Sequence, residues 1–223
     1  MRRFESWAAL VGAAAEALAG ALDRGIAERG RASLALAGGT TPSDIYRRLS
    51  GRALDWGRVA VTLTDERWVD ANSADSNARL VGETLLEDPA ASARFVPLKA
   101  AHALNSEGAA RSASAVLDEL RPLDAVLLGM GADGHFASLF PGSPALERGL
   151  DLGAPAVIAV PAGTPAPVQP RLTLTLPVLA EAGLLLLVIR GGDKLEVMRS
   201  AEAEGLPIAA LFRAASVQVY WAP

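Results

Sequence analysis

The stretch of sequence that decides the fold class is residues 125–142, AVLLGMGADGHFASLFPG. It begins with four consecutive apolar residues, which are typical of a buried strand. Three of the next six residues are glycines, which allow a sharp turn and a close approach of the backbone to a ligand. The turn also contains Asp133 and ends at His135. A buried strand followed by glycines, an acid and an imidazole indicates a reaction site at the end of a strand.

Similar apolar runs alternate with helical patterns along the rest of the chain. The predicted strands span residues 33–37, 59–63, 125–128, 156–160, 184–189 and 217–221, and the predicted helices include 74–86, 106–120 and 193–201 besides the long first segment. This alternation predicts an α/β, Rossmann-like fold with a mostly parallel sheet and helices on both faces, in a single domain over residues 1–223. Ligands of such folds bind outside the carboxyl ends of the strands, so residues that directly follow strands are the site candidates.

Composition limits the classes of function. The chain is 51% hydrophobic, carries a formal net charge of −4 and contains no cysteine. The hydrophobic content suffices for a core, and the acidic balance lacks the basic footprint of a nucleic-acid-binding protein, so no nucleic-acid partner is expected. The lack of cysteine excludes disulfides and thiolate nucleophiles, which fits a cytoplasmic protein. The apolar run 184–189 is far shorter than the ~20 residues that span a bilayer, so no membrane association is expected.

A candidate anion site lies in residues 37–42, AGGTTP, between a predicted strand and a predicted helix. Gly38 and Gly39 expose backbone N–H groups, and Thr40 and Thr41 offer hydroxyls. The N-terminus of the following helix adds partial positive charge, so this loop is suited to an anion and to phosphate in particular. The alternative is an ordinary tight turn with a capping threonine.

Charged residues follow another predicted strand, as Asp65-Glu66-Arg67. Arg67 is suited to clamp a carboxylate, a phosphate or a developing oxyanion, and Asp65 is suited to orient it or to handle protons. The alternative is a surface cluster of salt bridges, which are common and weak.

Two further cations are candidates for the anion site. Arg171 is a lone charge at the head of an apolar segment, and Lys194 follows the predicted strand 184–189. Together with the glycine–threonine loop, a fixed pair of cations would complete a phosphate site. Each of the two could instead be a solvated surface charge.

His135 and Asp133 are the candidate general base and its orienting carboxylate, because a histidine near neutral pKa suits proton transfer. The same segment also matches the dinucleotide-binding pattern G-x-G-x-x-G. Its position in mid-chain, and the absence of an acid at the end of the next strand, argue against that alternative. One useful histidine without cysteine is a poor ligand set, so no metal is expected.

Taken together, these segments resemble the glucosamine-6-phosphate isomerase/6-phosphogluconolactonase family in order and spacing. The matching segments are GGTTP at 38–42, DER at 65–67, SN at 76–77, GMGADGH at 129–135, PRLT at 170–173 and GDK at 192–194. Deaminases of this family carry an additional acid shortly after the histidine. Residues 137–142, ASLFPG, contain no acid and resemble the lactonase branch, and DER in place of DEY points the same way.

The resemblance implies hydrolysis of 6-phospho-D-glucono-1,5-lactone to 6-phosphogluconate in the oxidative pentose phosphate pathway, without a cofactor. It implies that His135 activates water, that Asp133 orients His135, and that Arg67 stabilises the oxyanion or binds sugar hydroxyls. The implied substrate-binding residues are Gly38, Gly39, Thr40, Thr41, Asp65, Arg171 and Lys194. An isomerase or deaminase on the same scaffold and a non-catalytic sugar-phosphate sensor remain alternatives. The expected assembly is a monomer or a small homo-oligomer.

Overall fold

The computed structural model of the chain describes residues 1–39, 41–100, 103–163 and 167–223. Its strands are β1 (Arg2–Arg3), β2 (Ala32–Leu36), β3 (Val59–Leu63), β4 (Asp65–Arg67), β5 (Arg94–Phe95), β6 (Ala125–Leu128), β7 (Val157–Val160), β8 (Arg171–Leu174), β9 (Leu184–Arg190) and β10 (Val217–Ala222). Its helices are α1 (Trp7–Arg29), α2 (Ser43–Ser50), α3 (Asn77–Thr84), α4 (Ser106–Asp118), α5 (Leu146–Leu150), α6 (Leu176–Ala180), α7 (Gly192–Ser200) and α8 (Pro207–Ala214).

Seven strands form the central sheet in the order β1-β10-β9-β6-β2-β3-β5. Every neighbouring pair is parallel. Strands β2, β3 and β6 are buried along their whole length, which explains why they are continuous apolar runs rather than alternating ones. The predicted α/β fold with a mostly parallel sheet is confirmed.

A second, smaller sheet was not predicted. Strands β4, β8 and β7 pair antiparallel in that order. The predicted strand at 156–160 therefore belongs to this sheet, as β7, and not to the parallel one. Strand β4 has only three residues and β8 has four. Segments this short do not show a hydrophobic periodicity from which a strand can be predicted.

The connections bring the candidate segments to one edge of the central sheet. Strands β9, β6, β2 and β3 are neighbours, so their carboxyl ends lie side by side. Strand β3, which follows β2 in the chain, lies beside β2 on the side away from β6. Strands β9 and β10, which follow β6, lie on the side of β6 away from β2. The β2–β6 boundary is thus a topological switch point, where open α/β sheets form a ligand-binding crevice.

A side-chain cap marks the start of α3. The N-cap of α3 is Ser76, whose hydroxyl accepts from the backbone N–H of Arg79 at 3.2 Å. The predicted start of this helix at residue 74 is therefore wrong, because the helix begins at Asn77. Among the helices in the described part of the chain, none combines the length and apolar content needed to cross a membrane.

We propose that the chain forms the single domain expected from its sequence. One cluster of buried apolar side chains extends from Leu10 in α1 to Ala222 in β10 and includes members of both sheets. A shared core of this kind is what defines one folding unit.

Candidate active site

A cleft of about 250 Å³ opens at the carboxyl edge of the central sheet. It is lined by most of the residues that the sequence singled out: Gly38, Gly39, Thr41, Asp65, Arg67, His135, Arg171 and Lys194. Thr40 lies outside the described residues. A larger cavity, of about 330 Å³, lies at the opposite edge of the sheet, where it borders the first residues of β2 and β3, and it contains none of these candidates. The predicted site residues that the structure brings together therefore lie around the smaller cleft.

His135 and Asp133 form a hydrogen-bonded pair, with 2.5 Å between His135 Nδ1 and Asp133 Oδ1. Partial burial tends to raise the pKa of Asp133, but the charge and hydrogen bonds of His135 outweigh it, so the pKa lies below its usual value. An ionised carboxylate only accepts hydrogen bonds, so Nδ1 is the donor. In the neutral ring this leaves the lone pair on Nε2, which is the arrangement that a general base requires.

Glycines make this pair possible. A Cβ on Gly131 would lie 2.1 Å from His135 Nδ1, and one on Gly134 would lie 2.8 Å from Leu206 Cβ. Gly134 also has φ of +74°, a backbone conformation that favours glycine. The turn is closed by the Gly131 N–H, which donates to the His135 carbonyl at 2.9 Å. The glycines therefore allow the imidazole, which lines the cleft, to lie against the Asp133 carboxylate.

Arg67 and Arg171 face each other across the small sheet as direct cross-strand partners of β4 and β8. The Nε atoms of both are buried and have no hydrogen-bond partner among the residues that the structure describes. Burial lowers the pKa of Arg171, Asp65 partly offsets this, and the charge of Arg67 lowers the pKa further. Like charges directly opposite each other are destabilising unless an anion lies between them. The pair is therefore suited to bind an anionic group in the cleft.

Glu66 does not line the cleft but holds the backbone of Arg67 and the start of α3 in place. It is 4% exposed, and its Oε1 accepts from the backbone N–H groups of Arg67 at 2.7 Å and Asn77 at 2.8 Å. Its Oε2 accepts from the Ser76 hydroxyl at 3.1 Å and the Ala78 N–H at 2.8 Å. Glu66 thus satisfies the first N–H groups of α3 and fixes the backbone of Arg67.

The glycine-rich loop after β2 is held by Asn77. A Cβ on Gly38 would lie 2.0 Å from Asn77 Oδ1, so only glycine allows this approach. The Asn77 side chain in turn donates from Nδ2 to the Asp65 carbonyl at 2.8 Å. Pro42 occupies the N-cap position of α2, so the loop runs directly into a helix N-terminus, as the anion-site interpretation requires.

Other residues of the site were not predicted as site residues. Ser138 donates from Oγ to Asp65 Oδ2 at 2.6 Å and from its N–H to Thr173 Oγ1 at 3.1 Å. The Phe140 ring lies 4.3 Å from the His135 ring, centroid to centroid, and 5.3 Å from the Arg171 guanidinium carbon. All three residues lie in segments that match the family, ASLFPG and PRLT, but nothing in those segments assigns them a role, so only their contacts identify them as site residues.

The dinucleotide alternative lacks its structural context. In that fingerprint a helix begins directly at the glycine turn and places its N-terminus against the pyrophosphate. Here the next helix after Gly134 is α5, which begins only at Leu146. Within the described ranges there is also no group of three or more metal-ligating side chains.

These features define a class of α/β protein, with a cleft that contains two facing arginines beside a histidine–aspartate pair at the carboxyl edge of a parallel sheet. The chain belongs to the family described as glucosamine-6-phosphate isomerases/6-phosphogluconolactonase, which matches residues 5–221.

Individual relatives extend over essentially the whole chain. A 6-phosphogluconolactonase of Rhizobium meliloti (strain 1021) is 48% identical, covering 100% of this chain and 98% of its own. One from Caulobacter vibrioides is 43% identical, covering 100% and 97%. The crystal structure of a 6-phosphogluconolactonase from Shewanella baltica OS155 superposes with a TM-score of 0.91 at 36% identity, covering 100% of this chain and 97% of that one. A monomeric glucosamine-6-phosphate deaminase shares the fold, with a TM-score of 0.82 at 22% identity and coverage of 99% and 96%.

Proposed function

We propose that this protein is a carboxylic ester hydrolase that converts 6-phospho-D-glucono-1,5-lactone to 6-phospho-D-gluconate in the oxidative pentose phosphate pathway. The observation that carries the proposal is that His135, paired with Asp133, lines the same cleft as the facing arginines Arg67 and Arg171. The activity named for the relatives at 43% and 48% identity supports it.

Phosphate anchoring supplies orientation. Arg171 and Lys194 provide positive charge, and the Gly38–Gly39 backbone with the N-terminus of α2 provides N–H donors and a helix dipole. Thr40 and Thr41 contribute hydroxyls in this proposal. Binding of the phosphate holds the lactone carbonyl near His135. Water, carbonyl and base are then oriented for reaction before the proton moves, which lowers the entropic part of the barrier.

His135 acts as the general base. Its Nε2 takes a proton from a water molecule as the water oxygen attacks the lactone carbonyl carbon. The tetrahedral oxyanion is stabilised by Arg67, whose buried Nε has no partner among the described residues. When the bond to the ring oxygen breaks, the imidazolium returns the proton to that oxygen, and Asp133 stabilises the imidazolium meanwhile. The immediate products are the carboxylic acid and the free hydroxyl, and the acid then releases its proton to solvent to give the carboxylate.

The test is hydrolysis of freshly prepared 6-phosphogluconolactone, corrected for spontaneous hydrolysis. His135→Ala should lower kcat by about 10²–10⁴-fold, the usual effect of removing a general base. Nearly wild-type turnover in that variant would refute the role of His135. Ammonia release from glucosamine 6-phosphate, measured in parallel, would instead identify a deaminase, which residues 137–142 argue against because they contain no acid.

A cytoplasmic location, a monomeric or small homo-oligomeric state and the absence of a nucleic-acid partner remain predictions from the sequence.

A further inference from the structure

Ser138 connects the histidine turn to the small antiparallel sheet. Its side chain is 0% exposed. Its hydroxyl donates to Asp65 Oδ2 at 2.6 Å, and its N–H donates to Thr173 Oγ1 at 3.1 Å. Asp65 and Thr173 are direct cross-strand partners of β4 and β8. Both donors of Ser138 are thus fixed to one position on this sheet.

The acceptor of the Ser138 hydroxyl also contacts the anion site. The same Asp65 oxygen lies 3.4 Å from Arg171 Nη1. The side chain of Asp65 is 7% exposed and that of Arg171 is 15% exposed, so water screens this contact little. Arg171 and Thr173 are two residues apart in β8 and therefore share one face of the sheet. An anion that binds Arg171 therefore shares the guanidinium with Asp65, the partner of the Ser138 hydroxyl.

On its other side, Ser138 is joined to His135 by a tight turn. A bridge pairs Phe136 with Leu139, and the Leu139 N–H donates to the Phe136 carbonyl at 3.0 Å. Ala137 in this turn has φ of +47°, a left-handed conformation that residues with a Cβ rarely adopt. The turn is short and conformationally restricted, so it connects the position of Ser138 to that of His135, which Asp133 also holds.

We propose that Ser138 is a positioning residue that, through Asp65, couples the anion site at Arg171 to the orientation of the His135 imidazole. The inference rests on the proposed function and deepens it. The interaction of the substrate phosphate with Arg171 then serves to orient the base, so the phosphate group raises kcat in addition to affinity.

The variant that tests the coupling is Ser138→Ala, and the chain offers a matched control. Ser33, 5% exposed, is hydrogen-bonded through its hydroxyl to Asp124 at 3.2 Å, and Asp124 pairs with Arg29. This serine–aspartate–arginine contact lies at the opposite edge of the central sheet. Ser33→Ala therefore removes a similar buried hydrogen bond without touching the cleft. Thermal unfolding of each variant measures how much stability is lost with its buried hydrogen bond, so that the two losses can be compared.

The kinetic readout compares the phosphorylated lactone with unphosphorylated glucono-1,5-lactone. With the phosphorylated lactone, Ser138→Ala should lower kcat by about tenfold, the effect of losing one charge-assisted hydrogen bond, with KM within about twofold of wild type. The loss of rate with the unphosphorylated lactone should be several-fold smaller, and Ser33→Ala should change neither rate. Equal losses of rate with both lactones would show that Ser138 only stabilises the turn, whether or not a phosphate is bound. That result would overturn the coupling. An unchanged kcat would also overturn it and would favour Phe140, which contacts both His135 and Arg171.

A second readout does not depend on activity. The chain contains two histidines, so the NMR signals of His135 are assigned by their loss in His135→Gln. Inorganic phosphate should shift the His135 imidazole signals of the wild type, and the shift should be several-fold smaller in Ser138→Ala at unchanged phosphate affinity by calorimetry. A wild type without this shift would overturn the coupling. A wild type that shows the shift but hydrolyses neither lactone would support the coupling and refute the proposed function.

Discussion

Substitution of Gly131 by alanine tests the histidine–aspartate pair by geometry alone. The new Cβ would lie 2.1 Å from His135 Nδ1 and 2.5 Å from Asp133 Oδ1. Real Cβ atoms essentially never make contacts under 3.0 Å, so the imidazole would have to retreat by the difference, about 0.9 Å. A misplacement of about 1 Å can cost a catalytic group roughly 10²-fold in rate, so we expect kcat to fall by about 10²-fold.

The fold should survive this substitution. An extra methyl group forced into a packed site typically costs about 1–3 kcal/mol, and the side chains displaced here are partly exposed, which favours the lower end. The control is Gly129→Ala in the same motif, because a Cβ at Gly129 would meet nothing within 4 Å. Gly129 also borders the cleft, so the comparison uses kcat at saturating substrate and not KM.

The assay is steady-state hydrolysis of the phosphorylated lactone, with circular dichroism to verify folding of each variant. Gly129→Ala should keep kcat within about threefold of wild type, as expected for a substitution that displaces no reacting group. If Gly131→Ala also kept wild-type kcat, the pair would have no part in turnover, and the reasoning from its geometry would be wrong. A loss of equal size in both variants would point to the glycine turn as a whole and not to the displaced imidazole.

Two further predictions address the anion site and the support of the sheet. Lys194→Ala should raise KM for the phosphorylated lactone by about 10–100-fold with little change in kcat, as expected from a lost charge-assisted hydrogen bond. Lys99→Ala, at the only other lysine of the chain, is the kinetic control, and an unchanged KM for Lys194→Ala would mean that the phosphate site is misplaced. Glu66→Gln should destabilise the fold by about 2–3 kcal/mol, because it places an amide donor against backbone donors in a buried site, and should lower Tm by roughly 4–12 °C. Glu83→Gln, which removes an exposed ion pair with Arg79, should change Tm little, and equal Tm values for the two variants would contradict the capping role of Glu66.

The central sheet could be predicted because its strands carry a strong local signal. The predicted strands 59–63 and 125–128 match β3 and β6 residue for residue. The predicted strand 33–37 has the length of β2 but is shifted by one residue toward the C-terminus. Each is a run of apolar residues that is buried on both faces, and such runs are recognisable without knowledge of their partners. The start of α3 was predicted three residues too early, because its local cap, Ser76, is one of several polar residues at 73–76 and the contacts with Glu66 from β4 that distinguish it are not local.

By itself the sequence determined the parallel sheet, the cleft at its carboxyl edge and the pairing of Asp133 with His135. These follow from apolar runs and from residues two positions apart, which are neighbours along the chain. Only the tertiary structure decided that Arg67 faces Arg171 and that Ser138 binds Asp65, 73 residues away. The physical reason is that the register of short antiparallel strands is set by burial and pairing across the molecule, so their side chains meet only once the chain has folded.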